Sequence, residues 1–225
     1  QDYRNYPKDL GKDIEITKDL GVDYVFIPQK ETFLKKISSS IKIGQVSKPL
    51  CGANRKGHFE GVATVIIKFL NIINPNLIYL GQKDFQQVLV IKKLINDFSI
   101  RTKVIICKTL RHKDGLAYSS RNKNLSPIQR AIAPFLFQTL KKIKKKISID
   151  GLSEIELRNF KSLLIKKGFS KINYLEIRTE KDLGLLKGTN KICRLFVSAN
   201  LDKTKLIDNH SLGKIKLHHG KYLKF

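Results

Sequence analysis

Lys83, Asp84 and Gln87 stand in the segment Leu80-Gly81-Gln82-Lys83-Asp84-Phe85-Gln86-Gln87, where an apolar run ends at a glycine and a helical pattern begins. A strand that stops at Gly81 and turns into a helix presents free backbone N–H groups and the positive end of the helix dipole, an arrangement that suits a phosphate. Lys83 adds a full charge. Asp84 and Gln87 are three residues apart, so they share a helix face and can meet one ligand together. A second cluster, Tyr118-Ser119-Ser120-Arg121-Asn122, offers hydroxyls and a guanidinium, again the chemistry for polyphosphate. A third block, from Cys51 to Thr64, precedes both and carries Arg55, His58 and Glu60. Any one of these segments alone is a weak sign. The three in this order form a specific pattern.

The elements that would position these groups follow from periodicity. Lys8 to Leu20 reads as a helix with apolar Leu10, Ile14, Ile16 and Leu20, ended by Gly21. Val22 to Ile27 reads as a strand closed by Pro28. Residues 29–57 are loop-rich. His58 to Ile73 reads as a helix stopped by Asn74-Pro75-Asn76, Leu77 to Leu80 as a strand, Asp84 to Phe98 as a helix, and Lys103 to Lys108 as a strand. Alternating helices and short apolar strands predict a parallel sheet covered by helices. Ligands gather at the carboxyl ends of such strands, where Gly81 and the residues after Cys107 lie.

The pattern changes after Leu110. Pro127 to Lys146 reads as a helix interrupted at Pro134, and Gly151 to Lys167 as a helix ended by Gly168. Ile172 to Arg178, Cys193 to Asn200 and Lys205 to Ile207 read as strands with no long helix between them, which predicts an α+β part with an antiparallel sheet. The expected domain boundary falls near residue 110, giving domains 1–110 and 111–225. No internal repeat is visible.

The 225 residues, 41% hydrophobic and 28% charged, describe a globular chain with no apolar run near the roughly 20 residues a membrane span needs. The three cysteines, Cys51, Cys107 and Cys193, form neither a disulfide framework nor a zinc pattern and fit a reducing, cytoplasmic compartment. The net charge of +25 invites a nucleic-acid reading. Lysine is spread over both halves, however, and the dense run Lys141-Lys142-Ile143-Lys144-Lys145-Lys146 closes a helical pattern, where cations are solvated and favoured by the dipole. An RNA surface would interleave aromatic residues with that run, and it contains none. Methionine is absent even at position 1, so Gln1 reads as an internal residue of a longer protein.

These motifs resemble the pantoate–β-alanine ligase family. The resemblance is carried by the Arg55-to-Thr64 block, by Gly81 to Gln87, by Asp114-Gly115-Leu116-Ala117-Tyr118-Ser119-Ser120-Arg121-Asn122 with Leu125-Ser126-Pro127, by Asn5-Tyr6-Pro7 and by Leu206-Ile207-Asp208-Asn209. It implies a Rossmann-like parallel-sheet nucleotide-binding domain of nucleotidylyltransferase type, lacking its first strand here, with a smaller C-terminal α+β lid domain built on an antiparallel sheet. It implies ATP as co-substrate, with Mg²⁺ on its phosphates, pantoate and β-alanine as small-molecule partners, a homodimer, and neither membrane nor nucleic acid as partner. The implied route joins pantoate to the α-phosphate of ATP, releases pyrophosphate, and passes the pantoyl group to the amine of β-alanine with release of AMP.

By the same resemblance Gly81, Gln82, Lys83 and Asp84 hold the nucleotide, Asp84 accepting from ribose hydroxyls. Leu110 and Tyr118 touch the adenine side. Lys83, Ser119, Ser120 and Arg121 meet the charge that develops on the leaving pyrophosphate, and Gln87 binds pantoate. His58 is read either as the brace of the helix it begins or as a lining of the pantoate pocket. No metal ligand is assigned. Each group has an ordinary competitor: Lys83 as a surface lysine, Ser119 and Ser120 as a cap, Cys51 as a small buried hydrophobe rather than a nucleophile, and Asp13 as part of a solvated face rather than a metal contact.

The chain departs from the family pattern in three respects. A His-x-Gly-His element, which holds the family's catalytic histidine, and a second substrate glutamine are expected upstream of Gln1, so residues 1–225 alone are expected to bind ATP weakly and to turn over poorly. Tyr118 stands where the family usually has Met. Asn54 and Lys56 replace the usual Ser and Pro. Another nucleotidylyltransferase of the same superfamily would share the phosphate-binding parts, but Gln87 and the His58 block fit a small hydroxy acid better than a nucleotide acceptor.

Overall fold

The computed structural model describes residues 9–33, 37–188 and 190–224. Asn5-Tyr6-Pro7 lies outside the described residues. The chain falls into two compact units, residues 1–40 and 41–225.

In the first unit, α1 (Leu10–Asp19) starts where the Asp9 carboxylate accepts the backbone N–H of Lys12 at 3.1 Å, a normal N-cap. A single turn, α2 (Lys30–Phe33), follows. The strand expected over Val22 to Ile27 does not form. These residues lack regular structure and are exposed, Tyr24 to 93%. A strand exists only through hydrogen bonds to a neighbour, and among the described residues none pairs with this segment.

The second unit begins with a short turn of helix, α3 (Cys51–Asn54), and the longer α4 (His58–Ile73). Asn74, at φ 48°, takes the left-handed position that ends α4. The strands β1 (Leu77–Gly81) and β2 (Lys103–Cys107) pair in parallel, Gly81 opposite Cys107, and α5 (Phe85–Asp97) connects them. Phe59 and Ala63 of α4 pack on Val90 and Leu94 of α5, the contact that fixes the helix layer beside the strands. This is the expected Rossmann-like β–α–β unit, with the Lys83 turn at the carboxyl end of its first strand.

The rest of the unit contains α6 (Pro127–Ile132), α7 (Phe135–Ile149), β3 (Leu152–Ser153), α8 (Glu154–Lys166), β4 (Lys171–Thr179), β5 (Lys191–Leu201), β6 (Thr204–His218) and β7 (Lys221–Lys224). Pro134 separates α6 from α7 as expected. Ser126 with Gln129, and Ser153 with Glu156, form reciprocal capping boxes that start α6 and α8. The sheet order is β3-β7-β6-β5-β4, antiparallel throughout. Leu136, Leu140, Ile143 and Ile147, one stripe of α7, pack on Leu195, Val197 and Leu212 of the sheet to form the main core.

Three features of this sheet differ from the sequence expectation. β3 (Leu152–Ser153) forms where a helix from Gly151 was expected, and α8 starts only at Glu154. β6 runs on to His218, far past Ile207, because the polar Asp208 and Asn209 inside it find partners instead of turning the chain. β7 was not anticipated, although His219 and Gly220 take φ of 44° and 72°, the left-handed pair that closes a tight hairpin.

Candidate active site

The turn after β1 is a single 3-10 turn, Gln82–Asp84, running directly into α5. Gly81 leaves the strand in an extended conformation, and a Cβ added there would have open space around it. Asp84 sits at the N-cap position of α5, yet its carboxylate does not cap the helix, which leaves it directed outward and exposed. Gln87 follows one turn later on the same helix. Its neighbour Gln86 is buried and serves a different purpose. Gln86 Oε1 accepts the Cys51 N–H, and Gln86 Nε2 donates to the carbonyls of Val46 and Pro49.

The second segment is a tight hairpin. Tyr118 N–H donates to the Leu110 carbonyl at 3.0 Å and His112 N–H to the Leu116 carbonyl at 2.8 Å, with Arg111 bridged to Ala117. Leu110 and Tyr118 are thereby opposite one another, 74% and 56% exposed, an apolar and an aromatic side chain offered to solvent together. The Tyr118 ring stacks on His112 with centroids 3.9 Å apart. Ser119 then caps a 3-10 turn over Ser120–Asn124, its hydroxyl accepting the Arg121 N–H at 3.3 Å. Asn122 Nδ2 holds the Ala117 carbonyl at 3.0 Å. The capping role foreseen as a competitor for this serine pair is therefore present at Ser119.

These two segments converge at Lys83. Burial pushes the Lys83 ammonium below the ordinary lysine value; Arg121 and Arg111 press it the same way, while Asp84 and Asp208 oppose them. Lys83 and Arg121 thus lie within electrostatic reach of one another, although far apart in sequence. Lys83 also lines a small cavity of about 10 Å³ with Ala117, Asn122, Phe137 and Asp208, room for about one water molecule. Neither Gln87 nor His58 lines that cavity.

β6 braces both segments. Asn209 Nδ2 donates to the carbonyls of Gln82 and Lys83 at 3.0 and 2.9 Å, and its Oδ1 accepts from Arg194 Nη1 at 2.6 Å. Arg194 is paired with Glu180 at 3.0 Å and lies over the Phe85 ring, 4.1 Å from its centroid. The preceding residue, Asp208, receives both Arg111 Nη atoms at 2.6 and 2.9 Å, and the Arg111 guanidinium covers Phe137 at 3.5 Å. Asp208, Asn209 and Arg194 are each only 4% exposed. Sequence reasoning noticed Asp208 and Asn209 as part of a motif but gave them no role, and it missed Arg111, Arg194 and Gln86.

His58 heads α4. Its Nε2 meets Arg55 Nη1 at 2.9 Å, and since a guanidinium only donates, the imidazole is the acceptor. Its ring leans on Phe59. Cys51, read as a small buried hydrophobe, is half-buried, with its Sγ 3.1 Å from Tyr174 Oη.

Comparison with known proteins places this geometry in context. The family model described as pantoate-beta-alanine ligase matches residues 1–211. The pantothenate synthetase of Clostridium botulinum is 37% identical over 214 residues, covering 93% of this chain and 75% of that protein. That of Acinetobacter baumannii is 38% identical over 211 residues, covering 93% and 74%. Among solved structures, pantothenate synthetase from Thermus thermophilus superposes with a TM-score of 0.86 at 32% identity, covering 95% of this chain and 78% of its own. A pantoate-beta-alanine ligase from Francisella tularensis, complexed with beta-gamma ATP and beta-alanine, gives a TM-score of 0.74 at 35% identity, covering 94% and 73%.

Proposed function

This chain belongs to the pantoate–β-alanine ligase family, and on that premise we propose that the protein condenses pantoate with β-alanine through a pantoyl-adenylate intermediate, consuming ATP and releasing AMP and pyrophosphate. The observation that carries the reading is the convergence of Lys83 with Arg121, two cations from separate segments within electrostatic reach of each other. The solved relative that holds beta-gamma ATP and beta-alanine supports the choice of substrates.

In the first step the pantoate carboxylate attacks the α-phosphate and negative charge builds on the departing pyrophosphate. Lys83, Arg121 and the hydroxyls of Ser119 and Ser120 are the preorganised donors for that charge, with the N-terminal N–H groups of α5 beside them. Gly81 and Gln82 lie along the phosphates, the outward Asp84 carboxylate takes the ribose hydroxyls, and Leu110 with Tyr118 forms the face for the base. Gln87, one turn into α5, pairs its amide with pantoate, and His58 either lines the same pocket or braces α4 through Arg55. Mg²⁺ belongs to the substrate as MgATP, held through phosphate oxygens in the way usual for this ion.

In this reading residues 1–110 bind ATP and pantoate and residues 111–225 act as the lid, the two strand systems falling on either side of that boundary. Their side chains interlock across it, as Phe85 packs on Phe196 and Tyr174. The family resemblance supports a homodimer. The free cysteines Cys51, Cys107 and Cys193 are consistent with the cytoplasm, and among the described residues no helix is long and apolar enough to cross a membrane.

The deciding experiment gives the product of the complete reading frame pantoate, β-alanine, ATP and Mg²⁺. Pantothenate, AMP and pyrophosphate should appear in equal amounts. Formation of ADP and phosphate would overturn the adenylate route.

A further inference from the structure

We propose that Asp208 and Asn209 are a positioning pair which, from opposite faces of β6, hold the Lys83 turn and the Arg111–Arg121 segment at the separation that adenylation requires. The proposal rests on the adenylate-forming reading above.

Consecutive residues of a strand point to opposite faces of the sheet. Asp208 lies opposite Val197, whose side chain belongs to the core beneath α7, and there it meets Arg111. Asn209 lies opposite Phe196, which packs on Phe85, and there it meets the Lys83 turn. One dipeptide therefore grips both ligand-binding segments, each from its own side.

The grip of Asn209 has a defined direction. Its Oδ1 must face Arg194, which only donates, and its Nδ2 must face the Gln82 and Lys83 carbonyls, which only accept. The amide orientation is fixed by its partners. A trans peptide sets each N–H opposite the carbonyl of the preceding residue. Drawing the carbonyl of Gln82 toward Asn209 thus turns the N–H of Lys83 away from Asn209, while the Asp84 N–H closes the 3-10 turn onto Gly81. The Lys83 N–H is a donor a phosphate would use.

Asp208 acts on the other segment through Arg111. The two guanidinium nitrogens of Arg111 are held by the carboxylate, Nη1 also donates to the Gly115 carbonyl at 3.2 Å, and its backbone bridges Ala117. This anchors the root of the hairpin that delivers Tyr118 to Arg121. An apolar pair at these buried strand positions could serve packing equally well; only polar side chains can reach a carbonyl pair on one side and a guanidinium on the other.

The test uses Asn209→Asp, which keeps the shape and replaces both donors by acceptors. Pantoate-dependent exchange of pyrophosphate into ATP should fall by about tenfold or more, while transfer from pre-formed pantoyl adenylate to β-alanine should change by less than about threefold. The backbone amide of Phe85, which the Gln82–Asp84 turn holds at the start of α5, should exchange with solvent about tenfold faster or more, with those of β4 and β5 unchanged. Asn209→Ser, which retains one donor, should recover part of both losses and decides the matter if Asn209→Asp does not fold. Parallel loss of both half-reactions, or unaltered amide exchange at Phe85, overturns the proposal. If the unsubstituted product of the complete reading frame performs no pyrophosphate exchange, the ligase reading fails instead, and the amide-exchange comparison still decides whether Asn209 positions the turn.

Discussion

Gln86 Oε1 accepts the backbone N–H of Cys51 at 3.0 Å, which ties the start of α5 to the first residue of α3. With its Nε2 bonds to Val46 and Pro49 at 2.9 and 2.7 Å, this buried side chain is fully engaged in structure. The next residue, Gln87, is free of that duty and is the one proposed to meet pantoate. Two adjacent glutamines in one motif therefore predict two different phenotypes.

Gln86→Ala strands the Cys51 N–H and the Val46 carbonyl, while the Pro49 carbonyl keeps the Gly52 N–H. It should cost about 2 kcal/mol of stability, or roughly 4–8 °C of Tm for a chain of this size. Gln87→Ala should leave Tm nearly unchanged and raise the KM for pantoate far more than that for ATP. Thermal melts and steady-state kinetics on the two variants separate them. Equal losses for both substrates in Gln87→Ala would remove Gln87 from the pantoate site.

Lys83→Ala and Arg121→Ala should each slow adenylation by more than about tenfold, since each removes a cation directed at charge that develops in the transition state. Lys83→Ala should not weaken the fold, because burying the ammonium beside Arg121 and Arg111 already opposes its charge. Single-turnover formation of the adenylate, measured beside a melting curve, checks this. An unfolded Lys83→Ala variant would show the residue to be structural.

The alternation of helices and strands from His58 to Cys107 was legible because apolar periodicity there is unbroken. α4 and β1 form where Asn74-Pro75-Asn76 and Gly81 punctuate the chain. β6 was legible only at its first residues, and for a physical reason. Asp208 and Asn209 are turn-forming types, and they sit inside a strand because Arg111, Arg194 and the Gln82–Lys83 carbonyls supply partners from elsewhere in the fold; Gly213, opposite Cys193 at φ 73°, stands at a shift in register. The residues that disguised the strand are those that brace the site. Gln86 carried a readable signal: it shares a helical stripe with Val90 and Leu94, both buried, so its side chain was bound to face inward. Val22 to Ile27 has the composition of a strand, but pairing is a tertiary property that composition does not contain.

Gly115 is the narrow point of the Arg111–Ala117 hairpin. Its φ is +95°, and an added Cβ would lie 3.1 Å from Phe137 Cδ1. Phe137 is also the ring covered by Arg111. Gly115→Ala should destabilise the protein by about 1–2 kcal/mol, and because it displaces Phe137 it should weaken ATP binding as well. Calorimetric titration with ATP and a melting curve read the two effects. A stable variant with unaltered affinity would mean that the hairpin does not present the nucleotide site.

The lowered Lys83 pKa gives nucleotide binding a pH dependence whose sign can be worked out. In the unliganded protein the folded state releases the Lys83 proton below the ordinary lysine value of 10.5, chiefly because of burial, with Arg121 and Arg111 adding to the effect against Asp84 and Asp208. Between that lowered pKa and 10.5 the unfolded chain binds more protons, so this group's contribution to stability becomes more favourable as pH rises through the window. Phosphate binding has the opposite requirement: it needs the ammonium charged. ATP affinity should therefore decline as pH rises through the lowered Lys83 pKa, earlier than an ordinary lysine would allow, and binding should be accompanied by proton uptake there. Lys83→Arg keeps the charge throughout this range and should abolish the decline, even if its affinity at neutral pH is lower. Titrations of ATP in buffers of different ionisation enthalpy, at a series of alkaline pH values, measure both quantities. The same alkaline decline in the unsubstituted protein and in Lys83→Arg would assign the titration to another group and detach Lys83 from the phosphates.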